Sequence, residues 1–103
     1  MARFLVTYHA GDMPHDPASM AKAREAFMQW AQKTGDALVD PGAPVQSTKI
    51  LSGEGSQDGH AEGPFSGWSV IDAPDAESAA QLLSDHPFIG RGGVLQINEP
   101  VEF

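Results

Sequence analysis

Four histidines, His9, His15, His60 and His86, are the side chains of this sequence that titrate near neutral pH. Acid–base chemistry needs such a group, or a carboxylate, in a partly dry pocket with a partner that fixes its tautomer. His9 and His86 are the candidate acid–base groups, and Asp40 and Asp85 the candidate orienting carboxylates. His9 directly follows an apolar run, so its backbone is held and its ring can face a pocket. His86 stands between Asp85 and Pro87 at a helix end, where an imidazolium is favoured by the dipole and where His-Pro also terminates the element. His15, beside Asp16, has the setting of a solvated turn residue, and His60 lies in a glycine-rich stretch ill suited to a preorganised catalyst. No HxH, HxxxH or HExxH pair and no cysteine is present, so no metal and no cofactor is expected. Gly90-Arg91-Gly92-Gly93 lacks the phosphate-loop pattern and leads into a strand, so it is a turn. There is no GxSxG signature or Ser-His-Asp set.

The elements that must position these groups follow from periodicity. Residues 3–8, Arg-Phe-Leu-Val-Thr-Tyr, predict a first strand buried on both faces. Asp16 caps a helix whose first residue is Pro17 and whose Met20, Ala23, Phe27, Trp30 and Ala31 form an apolar stripe, with Gly35 ending it. Residues 36–44 give a brief extended piece turning at Pro41-Gly42, and Val45–Leu51 a second strand. Ser52–Gly59 is an exposed loop or hairpin tip, Trp68–Asp72 a third strand, and Asp75 opens a second helix that Pro87 stops. Val94–Ile97 is the last strand. The order βαββαβ, with the middle strands joined as a hairpin, is a ferredoxin-like α+β arrangement forming one domain over residues 1–103. It carries four features to one edge: Tyr8 and His9; Asp12, His15 and Asp16; His60 and Glu62; Asp85 and His86. Leu5, Leu51, Val70 and Leu95 are candidates for an apolar sheet face that the helices leave open.

Composition bounds the partners. The 103 residues carry 14 acidic and 6 basic side chains, a net charge of −8, which repels phosphate backbones and anionic headgroups and argues against nucleic acid and membrane partners. Hydrophobic residues make up 41%, enough for a core, and cysteine is absent, which fits the cytosol. Met1–Val6 enters a strand-like run at once, without a signal-peptide pattern, and no run approaches a membrane span.

Four stretches together, Gly35–Pro44, Glu62-Gly63-Pro64-Phe65, Gly67–Ile71 and Ala79–Phe88 with its Leu-Leu-Ser-Asp-His-Pro-Phe close, resemble the YCII-related proteins, including their DGPF branch. The resemblance covers nearly the whole chain. It implies a ferredoxin-like fold paired through its open sheet face into a dimeric α+β barrel, and in some members a His-Asp pair acting on small aromatic or other metabolites. Here Arg24 falls near the histidine's place and His86 at the aspartate's, so both partners of that pair are replaced. The Glu62 segment also departs from the longer DGPF pattern, because Gly67-Trp68 follows at once. The expectations are therefore a homodimer that binds a small molecule, aromatic or anionic, with His9 or His86 and Asp40 or Asp85 as its acid–base groups. Tyr8, Arg24 and Trp30 would contact the ligand, with Arg24 holding an anionic group because guanidinium stays charged. A non-catalytic interaction homodimer is the alternative.

Overall fold

The strand expected at residues 3–8 runs from Ala2 to Ala10 (β1) in the computed structural model, which describes residues 2–10, 16–60 and 66–101. Its side chains alternate rather than burying on both faces: Phe4 and Val6 are buried, while Arg3 and Leu5 are exposed. Helix α1 spans Pro17–Thr34 and begins as its sequence dictates, with the Asp16 carboxylate accepting from the Ser19 backbone N–H at 2.8 Å and from its hydroxyl at 2.9 Å. A cap of this kind is worth about 1 kcal/mol. Gly35, at φ 66°, closes the helix by donating its N–H to the Ala31 carbonyl, and a single 3-10 turn, Gly35–Ala37, follows.

The second strand is not where periodicity places it. Strand β2 is Leu38–Pro44, the segment expected to turn at Pro41-Gly42, whereas residues 45–48 belong to no strand. Strands β3 (Lys49–Ser52) and β4 (Gly55–Asp58) pair with each other in a separate two-stranded sheet, so the expected hairpin between the 45–51 and 68–72 strands does not form, and the stretch Ser52–Gly59, expected as a loop or hairpin tip, contains a strand of its own. The reason lies in β2's backbone. Its register against β5 (Gly67–Ala73) shifts between Leu38 and Asp40 and again between Asp40 and Ala43; the second irregularity absorbs Pro41 and Gly42, and Pro44 is the strand's last residue, opposite Gly67. Asp40 stabilises the bend by accepting from the Gly42 N–H at 2.9 Å. Gly42, at φ +70°, passes so close to β5 that a Cβ would sit 1.8 Å from the Trp68 carbonyl oxygen.

Helix α2 (Ala76–Leu83) is capped by Asp75, whose carboxylate accepts from the Ser78 N–H at 2.8 Å. It ends at Leu83, four residues before Pro87. That proline does not stop α2; it is the first residue of a further short helix, α3 (Pro87–Gly90). Strand β6 (Gly93–Asn98) completes a four-stranded antiparallel sheet in the order β2-β5-β1-β6. The architecture is mixed α+β. The core, Phe4, Val6, Ile71 and Ala73 with Trp30, Ala79 and Leu83, lies between the sheet and its helices, and Leu95 and Ile97 pack against it. Among the described residues no helix is long and apolar enough to cross a membrane.

The cross-strand pairs fix what stands on the opposite face. Leu5 is opposite Val70 and Asn98, Thr7 opposite Trp68 and Gln96, and His9 opposite Val94. Leu5 is 42% exposed and Val94 57%, with the Arg3–Asp72 ion pair at one end of the same face. Of the four residues expected there, Leu5 and Val70 are on this face, Leu95 is on the other, and Leu51 is in the hairpin, 82% exposed.

Candidate active site

Because β1 alternates, Tyr8 points to the helix side and its neighbour His9 to the open face, so the two do not share a site. His9 Nε2 lies 2.7 Å from the Thr7 hydroxyl on that open face. His86 meets Tyr8 instead, its Nε2 3.1 Å from the phenolic oxygen. The His86 ring is buried against three aromatic rings, with centroids at 4.4 Å for Trp30, 5.1 Å for Tyr8 and 5.6 Å for Phe27. Phe88 stacks on Tyr8 at 5.3 Å, and the Arg91 guanidinium lies 5.5 Å over the Phe88 ring.

The backbone sets the direction of every hydrogen bond here. His86 is the N-cap of α3, and its Nδ1 accepts from the Phe88 N–H at 3.0 Å, so Nδ1 carries no proton. A neutral ring must then be protonated at Nε2, which donates to Tyr8 Oη. Tyr8 in turn donates to Ser69 Oγ at 2.6 Å, and Ser69 donates to the Pro41 carbonyl at 2.8 Å. Burial, aided by the Arg91 charge and opposed by Asp85, lowers the His86 pKa to about 4. Burial likewise raises the Tyr8 pKa. Both rings are neutral at physiological pH, and both nitrogens of His86 are engaged. The expectation that His86 changes protonation near neutrality is therefore corrected.

Along this row lies a cavity of about 310 Å³, within the range of small-ligand pockets. Tyr8, His86 and Phe88 form one wall, the Pro41–Pro44 bend of β2 another, and Met20, Ala23 and Phe27 of α1 the roof. Most of its surface is apolar. Arg24 from α1 and Arg91 after α3 also border it. Three of the other basic residues pair with carboxylates, Arg3 with Asp72, Lys33 with Asp85 and Lys49 with Asp58. Arg24 and Arg91 have no carboxylate partner among the described residues, and Arg91 Nε is buried without a hydrogen-bond acceptor.

Of the expected site residues, Tyr8, Arg24 and His86 line this cavity, and His9, Trp30, Asp40 and Asp85 do not. His9 is on the opposite face. Asp40 is spent on the Gly42 N–H. Asp85 accepts from Trp30 Nε1 at 3.2 Å and pairs with Lys33, which holds its carboxyl below the usual range, and it does not set the His86 tautomer. Trp30 is core rather than cavity lining, with its indole buried against His86. His60 is exposed beyond the hairpin, while Asp12, His15 and Glu62, with the segment 62–65, lie outside the described residues. Among the described residues no three histidine or carboxylate side chains converge as metal ligands do.

Ser69, Phe88 and Arg91 are the site members that sequence reading passes over. Ser69 had a signal: it is the polar position in the inward-facing set Gly67, Ser69, Ile71, Ala73 of β5. Arg91 had one too, as a cation isolated in a glycine-rich turn of an acidic chain. No family model matches the chain, and no curated protein does.

Proposed function

We propose that this chain is a small-molecule-binding module whose cavity takes a small organic anion with an apolar body, the anionic group facing Arg24 and Arg91. The observation that carries this reading is the placement of those two residues. In a chain of net charge −8, two guanidiniums without carboxylate partners among the described residues border one apolar cavity. Binding is favoured over His/Asp acid–base catalysis because neither His86 nitrogen is available to a substrate and Asp85 is committed to Lys33 and Trp30.

Benzoate, titrated calorimetrically at low ionic strength, is expected to bind, and Arg24→Gln combined with Arg91→Gln to weaken it at least about tenfold. Added salt should weaken it further, since Arg24 is exposed. A parent protein that ignores benzoate, or a double variant that binds it equally well, would sink the reading.

The order β2-β5-β1-β6 supports a ferredoxin-like description in which the β3–β4 hairpin is an excursion between the second and third strands of the sheet. With the motif resemblance, this favours a YCII-type module that pairs through its open face. Leu5 and Val94, exposed beside the half-buried Trp68 and Val70, favour such a homodimer on that face. Sedimentation should therefore give twice the 10.9 kDa chain mass, and Leu5→Asp with Val94→Asp should return it to the monomer. A parent that stays monomeric at micromolar concentration would remove the dimer and leave the cavity reading untouched.

A further inference from the structure

The row His86–Tyr8–Ser69–Pro41 crosses the cavity from its α3 side to its β2 side, and His86, Tyr8 and Pro41 all line it. Its protons have one consistent arrangement. The Phe88 N–H occupies His86 Nδ1, so Nε2–H points to Tyr8 Oη; the Pro41 carbonyl can only accept, so the Ser69 proton points to it; the Tyr8 proton is left for Ser69 Oγ. All three side-chain donors are consumed inside the row. Toward a ligand, Tyr8 Oη retains a lone pair and no proton.

We propose, resting on the anion-binding reading, that this wall selects ligands presenting a hydrogen-bond donor to Tyr8 Oη. The ligand class is then an apolar carboxylate with a hydroxyl or N–H group at the end remote from the carboxylate. The polarity of the wall also orients the molecule. A carboxylate turned inward would meet only the lone pair of Tyr8, whereas turned outward it meets Arg24 and Arg91.

Three para-substituted benzoates of similar length separate the possibilities: 4-hydroxybenzoate donates, 4-methylbenzoate does neither, and 4-acetylbenzoate only accepts. Calorimetric titration of the full chain should rank the hydroxyl compound about tenfold tighter than the methyl one, with the acetyl compound weakest. Tyr8→Phe should erase the hydroxyl preference. Should that variant fold poorly by circular dichroism, Ser69→Ala gives a second reading, because it keeps Tyr8 but frees its proton, so the penalty against the acetyl compound should shrink. Equal affinity of the parent for the hydroxyl and methyl compounds, or a ranking unchanged in Ser69→Ala, overturns the inference while leaving the anion site standing. Failure of all three to bind removes the anion site and this inference together.

Discussion

Gly42→Ala is expected to lower the unfolding free energy by about 3 kcal/mol or more and to abolish benzoate binding with it. Two costs combine at this position. An L residue at φ +70° pays about 1 kcal/mol for its left-handed backbone. The larger cost is steric, because the new Cβ would stand 1.8 Å from the Trp68 carbonyl oxygen and 2.6 Å from its carbon, both backbone atoms of β5. Relief requires β2 to move off β5, and the Pro41–Pro44 bend forms a cavity wall. Gly35→Ala isolates the backbone cost: at φ 66° and ψ −137° the residue stands in a region that L side chains rarely adopt, which costs about 1–3 kcal/mol, but a Cβ there would meet nothing within 4 Å, so no steric cost is added and the cavity wall is left in place. Urea midpoints give the two costs and calorimetry separates their causes: Gly35→Ala should keep benzoate binding, and a Gly42→Ala variant that binds benzoate like the parent would show that the close approach to Trp68 does not govern the edge strand.

Acid should weaken the fold in a window set by His86. Its folded pKa, about 4, lies below its ordinary value of 6.5, so between these values the unfolded chain binds the extra proton and stability falls as pH is lowered. The contribution is fully present above pH 6.5 and lost on approaching pH 4. Allowing for solvent on the cavity side of the ring, it amounts to about 2 kcal/mol. Asp16, Asp75 and Asp85, all held below the ordinary carboxyl value of 3.8 by hydrogen bonds, act in the same direction but at lower pH. His86→Gln should flatten the denaturation free energy between pH 6.5 and 4 and leave the steeper loss below it. A parent as stable at pH 4.5 as at pH 7 would contradict the buried neutral imidazole.

The parts of this structure legible in the sequence are those governed by local chemistry. Asp16-Pro17 and Gly35 marked both ends of α1, Asp75 marked the start of α2, and short apolar and β-branched runs located β1, β5 and β6 to within two residues, although not the alternation of β1. Strand β2 was hidden because Pro41, Gly42 and Pro44 are turn formers by propensity, and only pairing with β5 makes them an irregular strand. The segment 49–52 has strand composition, yet its partner is its own hairpin rather than the sheet. At the site, Tyr8 and His86 could be nominated as chemically capable residues near element ends, whereas Arg24, in the middle of α1, was nominated only through the motif resemblance. Which face each took could not be read from spacing: one residue along β1 separates Tyr8 in the cavity from His9 on the opposite side.

The two borders of the sheet are chemically unlike, which gives the molecule a built-in sense of direction for any strand added to it. On the β2 border, Pro41 and Pro44 have no N–H to offer and the Gly42 N–H is already taken by Asp40, so an incoming strand finds an interrupted ladder. The β6 border, Gly93–Asn98, contains no proline and keeps a regular register with β1. Self-templated growth of this sheet, in a concentrated solution or a partly unfolded population, would therefore proceed from β6 outward, and a single proline placed on that strand's free side would close both borders.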